Sequence, residues 1–435
     1  MSALQPDMAR HIEDNFDEYT YDMFMYNMSP DPEEVELFSK WLEVGTTRRL
    51  NSFAPVRLCS RDTSATILRA DGRELEVLSF SGYNYLGYAR HPAVIASARA
   101  ALERYGLGAA SSPIISGNCG AHAELARALV DFFKLPSHGV SLFSSGYAVN
   151  LGTIQAFAKP GSQLILDDRV HMSLLDGARL ANTKIAYFEH GNMRSLERQL
   201  DKHCDGHTRV LVCVESLYSG DGDFGPLAEV VALAKRYDAY TLVDEAHATL
   251  VAGASGRGVC EQQGVLGEVD FYVMTFSKAF GGVGGALLAK RSMCQYIDWY
   301  AKCRAFSCAL DPAVAGGLRR VVELAGSDDG DRRRARLHAN VAYLREALRE
   351  DFDLGLSTSW ILTVLYGEER NTVQLNSYLQ EQGLDVSPLQ FPAVAKGEAR
   401  LRLFVTSEHT REQLDTAAAI LRDAGRRFGF ISTGR

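Results

Sequence analysis

The sequence predicts an α/β protein with a large, mainly parallel sheet and a smaller α+β domain at its C-terminal end. Between about residues 140 and 290, apolar runs such as Val140–Phe143, Val210–Val214 and Phe271–Met274 alternate with stretches of helical periodicity. Continuous Val/Ile/Leu runs separated by helices belong to a sheet covered on both faces. Asp167, Glu215, Asp244 and Thr275 stand at or just beyond the ends of such runs. Sheets of this kind bind ligands beyond the carboxyl ends of their strands.

In chain order, residues 1–79 read as an acidic N-terminal arm and short strands, 80–311 as the large domain and 312–435 as the small one. Residues 1–45 carry eleven Asp/Glu against Arg10 and Lys40, while the rest of the chain is nearly neutral. Asp31-Pro-Glu-Glu-Val-Glu reads as a helix start, with proline early and carboxylates in the first turn. The arm's aromatics (Phe16, Tyr19, Tyr21, Phe24, Tyr26, Phe38 and Trp41) suit a segment that packs on a neighbouring subunit. A docking segment for a partner is the second reading.

Residues 56–80 read as short strands around the turn Ala70-Asp-Gly-Arg73. Helices are expected from about His91 to Tyr105 and again up to about Phe133. The apolar runs are Val140–Phe143, Gln163–Leu166, Lys184–Phe188, Val210–Val214, Thr241–Val243 and Phe271–Met274, with helical patterns at 147–158, 172–181, 193–203 and 227–238. A long helical region runs to about Arg349. Strand Trp360–Tyr366, helix Thr372–Gln382, strand Leu401–Thr406 and a helix from about Arg411 close the chain.

Composition excludes several classes. The formal charge is −8, and no basic footprint of a nucleic-acid binder is visible. Eight cysteines form no C-x-x-C pair or zinc spacing, so no metal is expected and a reducing, cytoplasmic setting is. No apolar run approaches the roughly 18–20 residues that span a bilayer.

One stretch, Asp270-Phe-Tyr-Val-Met-Thr-Phe-Ser-Lys-Ala-Phe-Gly-Gly-Val-Gly-Gly285, concentrates the chemistry. An apolar strand delivers Thr275, Ser277 and Lys278 into a turn with four glycines. A desolvated lysine loses hydration and its pKa falls, which suits it to Schiff-base formation. The hydroxyls and glycine backbone around it suit a phosphate. Together they point to a lysine that anchors pyridoxal 5'-phosphate (PLP). That ring needs a carboxylate at its pyridine nitrogen to act as an electron sink. Asp244, in Val243-Asp-Glu-Ala-His247, fits, and His247 is near enough in sequence to reach the phenolic oxygen or the acyl carbonyl. His171 follows another strand and is the candidate ring-stacking imidazole. Gly146 and Tyr147, at a helix start, are candidate phosphate binders. Arg402 or Arg400 is the candidate receiver of a substrate carboxylate; strand parity does not separate them. The glycines after Lys278 are not a dinucleotide fingerprint, and Gly253-Ala-Ser-Gly256 is not a hydrolase elbow.

These motifs together resemble the α-oxoamine synthase family of fold-type I PLP enzymes, whose large domain carries a seven-stranded-type sheet. The marks are Tyr-Asn-Tyr-Leu-Gly (83–87), Ser-Gly-Tyr-Ala-Val-Asn (145–150), His171-Met-Ser-Leu, Glu215-Ser-Leu-Tyr-Ser-Gly-Asp-Gly-Asp223, Asp-Glu-Ala-His (244–247), Thr-Phe-Ser-Lys (275–278) and Arg400-Leu-Arg402. Several of them look like bacterial serine palmitoyltransferase, whereas His-Met-Ser-Leu and Gly367-Glu-Glu-Arg-Asn-Thr372 are similar to amino-ketone autoinducer synthases. The resemblance implies that Lys278 binds the cofactor and then moves the Cα proton. It implies Asp244 at the pyridine nitrogen, His171 on the ring and His247 near the phenolic oxygen. Gly146, Tyr147, Thr275 and Ser277 would hold the phosphate, with Ser307 reaching the other subunit's site, and Asn84 and Arg402 would contact the amino acid.

The implied reaction joins a small L-amino acid to an acyl-CoA thioester with loss of CO2, giving an α-amino ketone. Serine is the first choice, then alanine or glycine. A homodimer with shared sites is implied. The alternatives are a carrier-protein-bound acyl donor, an aminotransferase or Cα–Cβ lyase, and a non-catalytic partner subunit. Ser111-Ser-Pro113, Ala248 and Leu250 depart from the usual family pattern, so the substrates stay open.

Overall fold

The computed structural model describes residues 11–16, 19, 31–391 and 393–431. Contacts divide the chain into two compact units, Tyr83–His338 and Met1–Gly82 with Ala339–Arg435. Their lines fall at 82/83 and 338/339 rather than at 79/80 and 311/312. The helix Pro312–Ala325 explains the second shift, because it packs on Pro92–Tyr105 and Gly120–Phe133 inside the larger unit. Gly316 and Gly317 make that approach possible: a Cβ on Gly316 would stand 2.6 Å from the Ala101 Cβ.

The larger unit is built on a seven-stranded sheet. Its strands are β4 (His138–Phe143), β5 (Gln163–Asp167), β6 (Lys184–Phe188), β7 (Val210–Glu215), β8 (Tyr240–Asp244), β9 (Phe271–Thr275) and β10 (Gly285–Lys290), in the order β4-β10-β9-β8-β7-β5-β6. β9, β8, β7, β5 and β6 run parallel; β10 is antiparallel to both β4 and β9. The predicted α/β class and mainly parallel sheet hold. All six expected strands are present, and β10 is the one the apolar runs did not mark. β5, β7 and β9 are buried along their whole length, and β8 in all but its first residue, Tyr240. Burial on both faces is why they read as unbroken apolar runs. Leu166, Cys213, Leu242, Val273 and Leu287 contribute to one core with Phe143, Phe157 and Ile297.

The smaller unit holds β1 (Val56–Ser60), β2 (Ser64–Leu68) and β3 (Glu74–Ser79), with β12 (Leu384–Asp385) pairing parallel to β3. A second sheet has the order β11-β14-β13, from Ile361–Gly367, Ala399–Phe404 and Ser387–Leu389. β14 starts two residues earlier than expected, because Ala399 pairs with Gly367 and Thr406 already donates to the His409 Nδ1. The helix at Asp31 forms as read, Pro32–Thr47 with a capping box between Asp31 and Glu34.

The arm's described aromatics pack on their own chain. Phe16 stacks on Trp41 at 5.6 Å, and both join Ile12, Val44 and Val373, with Tyr19 and Phe38 alongside. Packing on a neighbouring subunit is therefore not needed to bury them. Tyr21, Phe24 and Tyr26 lie outside the described residues. Among the described residues no helix is long and apolar enough to cross a membrane.

Candidate active site

The sheet brings the sequence candidates of the larger unit to one side, where β5, β7, β8 and β9 end. Lys278 stands three residues past β9, in a turn closed by Gly281 N–H donating to the Lys278 carbonyl and Gly282 N–H donating to that of Phe276. Gly281 and Gly284 adopt positive φ, 70° and 108°, which that reversal requires. Lys278 is half-buried rather than fully enclosed, and Ser277 is exposed, because the turn leaves the sheet after Thr275. The Lys278 Nζ lies 6.0 Å from the centre of the Tyr83 ring.

Below the lysine is a small cradle. Gly146 opens the helix Gly146–Phe157, capped by the Ser145 hydroxyl, which accepts from Ala148 N–H. A Cβ on Gly146 would stand 2.7 Å from the Thr275 Cβ and 2.8 Å from its Oγ1, and one on Gly285 would stand 2.8 Å from the Gly146 nitrogen. Only glycine fits either place. The Thr275 and Ser277 hydroxyls are 3.0 Å apart beside this helix start. Hydroxyls and free helix N–H groups facing one space suit a phosphate.

Asp244 ends β8 and is almost fully buried. Its carboxylate accepts from Ala246 N–H at 2.9 Å and from the Asn150 Nδ2 at 2.7 Å. Asn150 also donates to the Ser173 Oγ at 2.9 Å, and Ser173 bonds the His171 Nδ1 at 2.8 Å. His171 is exposed, caps the helix Met172–Leu180 and meets the Tyr147 ring edge-on at 6.1 Å. Tyr147 in turn donates to Asp176, which pushes its phenol up to about 12. His247 is buried, with Nδ1 2.7 Å from the Tyr85 hydroxyl and its ring edge-on to Tyr83. Asn84 accepts from Ala89 N–H at 3.3 Å.

Glu215, the last residue of β7, accepts the His171 N–H at 2.5 Å. Burial, and after it the Asp244 charge, pushes its carboxyl well above the usual range, against the pull of Lys278 and the His171 N–H.

Two candidates lie on other elements. Ser307 is exposed, just past the short helix Lys302–Ala305. Arg402 belongs to the smaller unit, on β14, where its Nη2 donates to the Ser387 Oγ at 3.0 Å. Arg400 differs: it is buried and pairs with Glu398 at 2.9 Å. Asn150, Ser173, Tyr83 and Tyr85 went unassigned in the sequence, although all four lie inside quoted motifs. Asn150 falls four residues after Gly146 on one helix face, a spacing that signals a shared site. Among the described residues no group of His, Cys, Asp and Glu is arranged to hold a metal.

A parallel-sheet domain with a lysine, a buried carboxylate and a glycine–hydroxyl cradle at its strand ends defines a fold-type I PLP-dependent transferase. The class I and II aminotransferase model matches residues 76–421. The 8-amino-7-oxononanoate synthase of Alkaliphilus metalliredigens is 37% identical over 357 residues, covering 82% of this chain and 89% of that one. Among solved structures, the Sphingomonas wittichii serine palmitoyltransferase superposes with a TM-score of 0.84 at 32% identity, covering 91% of this chain and 98% of that one. A serine palmitoyltransferase solved with PLP as internal aldimine gives 0.82 at 33% identity, covering 87% and 94%. The chain belongs to the α-oxoamine synthases, within the class I and II aminotransferase family. It is a PLP-dependent acyltransferase, and its reaction class is the decarboxylative condensation of an amino acid with an acyl thioester.

Proposed function

We propose that the chain condenses a small L-amino acid, serine first and alanine or glycine next, with an acyl-CoA to give an α-amino ketone, CoA and CO2. Bound PLP supplies an electron sink for the Cα carbanion and for decarboxylation. Lys278 would hold the cofactor and, as a free amine, would move the Cα proton. Asp244, braced by Asn150 and Ala246 N–H, keeps the ring nitrogen protonated. Gly146, Tyr147, Thr275 and Ser277 bind the phosphate. His171 would cover the cofactor's ring, and His247, steadied by Tyr85, would serve its phenolic oxygen. Asn84 and Arg402 receive the amino acid.

The observation that carries this reading is the cradle that excludes a side chain at Gly146 and Gly285, next to the half-buried lysine. Serine comes first because serine palmitoyltransferases are the similar solved structures. Alanine or glycine is next, since the sequence relatives make a product whose amino group adjoins a ketone. We infer a homodimer in which Ser307 serves the partner's site; its neighbour Phe306 is 87% exposed, as a surface awaiting a second copy would be.

The test is a matrix of serine, alanine and glycine against acyl-CoAs of increasing length, read by free thiol and by mass of the product. One pair should dominate. Transamination of a keto acid without thiol release would overturn the reading.

A further inference from the structure

His190 lies outside every motif that carries the chemistry, two residues past β6 and 12% exposed at its side chain. Its Nδ1 is 3.0 Å from the Asp167 Oδ1, and its Nε2 is 2.9 Å from the Asp223 Oδ2. A neutral imidazole has one N–H, so only the imidazolium donates to both carboxylates. From the end of β5 and the turn after it, Asp167 and Asp168 face it, and Asp168 accepts its backbone N–H at 3.1 Å. From the loop after β7, Asp223 faces it, and Tyr218 meets its ring edge-on at 4.4 Å. Arg169 and Asp221 link the same two segments at 2.9 Å. On its own turn, the Glu189 carboxylate is engaged with Asn192. Burial alone pulls the imidazole down, but the bonds to Asp167 and Asp223 outweigh it and push it up to about 10.

The contacts close a circuit. From Asp167 the chain turns through Arg169 N–H and Val170 N–H, both folded back on Asp167, and reaches His171. His171 N–H donates to Glu215, and Glu215 N–H donates to the Tyr218 hydroxyl at 3.3 Å. Tyr218 N–H donates to the Asp223 carbonyl at 3.0 Å, and the Asp223 side chain returns to His190.

We propose that His190 is a positioning residue: bridged at both nitrogens, it pins the turn carrying His171 to the loop beginning at Glu215, and so sets the face on which PLP is held. The proposal rests on the reading of His171 as a cofactor-site residue. His190 acts through Asp167 and Asp223, which its two ring nitrogens meet.

The test uses the full chain freed of PLP and titrated with it from pH 7 to 11, following the absorbance of bound cofactor. Wild type should hold PLP evenly to about pH 9 and lose affinity as His190 deprotonates near 10. His190→Gln, whose amide presents N–H donors at one end only, should bind at least tenfold more weakly at pH 7.5 and lack that alkaline limb. Wild-type affinity and an unchanged limb in His190→Gln would overturn the proposal. Should that variant fail to fold, Asp223→Asn carries the test: the limb should move to lower pH, and an unmoved limb refutes the idea. Lys278→Ala is the control for the site itself. If it too leaves PLP binding and the bound-cofactor absorbance unchanged, the site reading falls; if it alone alters them, only the role of His190 falls.

Discussion

Replacing Gly146 with alanine sets two effects of opposite sign against each other. At the start of the helix Gly146–Phe157, alanine gains up to about 1 kcal/mol in helix propensity. Its Cβ, however, would stand 2.7 Å from the Thr275 Cβ, where ordinary carbon contacts are about 3.5–4.0 Å. Thr275 has nowhere to go, because it ends β9 opposite Gly285, itself pressed against the Gly146 nitrogen. Overpacking of this kind costs about 1–3 kcal/mol, so the fold should lose up to about 2 kcal/mol net. The site should lose more. Prising the helix start from Thr275 removes one hydrogen bond to the phosphate, about 1.5–3 kcal/mol for a charged partner, or roughly 10- to 100-fold in affinity. Titrating the PLP-free protein with PLP and with pyridoxal separates the phosphate from the ring. Gly146→Ala should weaken PLP by that factor and leave pyridoxal unchanged. PLP affinity within about threefold of wild type, or an equal loss for both ligands, would show that Gly146 does not serve the phosphate.

Asn150→Ala removes the donor that Asp244 and Ser173 share, and should cost about 2–4 kcal/mol in urea unfolding of the PLP-free chain; a loss below about 0.5 kcal/mol would deny the brace. His190 is raised from 6.5 to about 10 in the folded chain, so its contribution to stability is complete below about pH 6.5 and declines as pH rises through 10. Denaturation midpoints of wild type should therefore fall across that window, and those of His190→Gln should fall less. Arg402→Ala should raise KM for the amino acid about tenfold or more, while Arg400→Ala, which removes a buried guanidinium paired with the exposed Glu398, should lower stability and leave KM near wild type.

The sheet was legible because buried strands are apolar on both faces, and six of its strands announce themselves that way. β10 escaped because Gly285-Ala-Leu-Leu-Ala-Lys290 follows the glycine turn without a break and reads as its continuation. The division into units was less legible, because β3 finds its partner β12 some three hundred residues away in the chain. Lys278, Asp244 and Gly146 stood out by residue type and place in a motif. Their braces did not: Asn150 meets Asp244 across 94 residues, and Tyr85 meets His247 across 162. His190 escaped for the same reason at shorter range, an ordinary-looking histidine whose two carboxylate partners lie 23 and 33 residues away.

The most direct measurement follows CO2, free thiol and α-amino ketone together when the PLP-loaded protein receives its amino acid and acyl-CoA. Wild type should give the three in equal amounts and Lys278→Ala none. Product from Lys278→Ala at the wild-type rate, or thiol released without CO2, would contradict this chemistry.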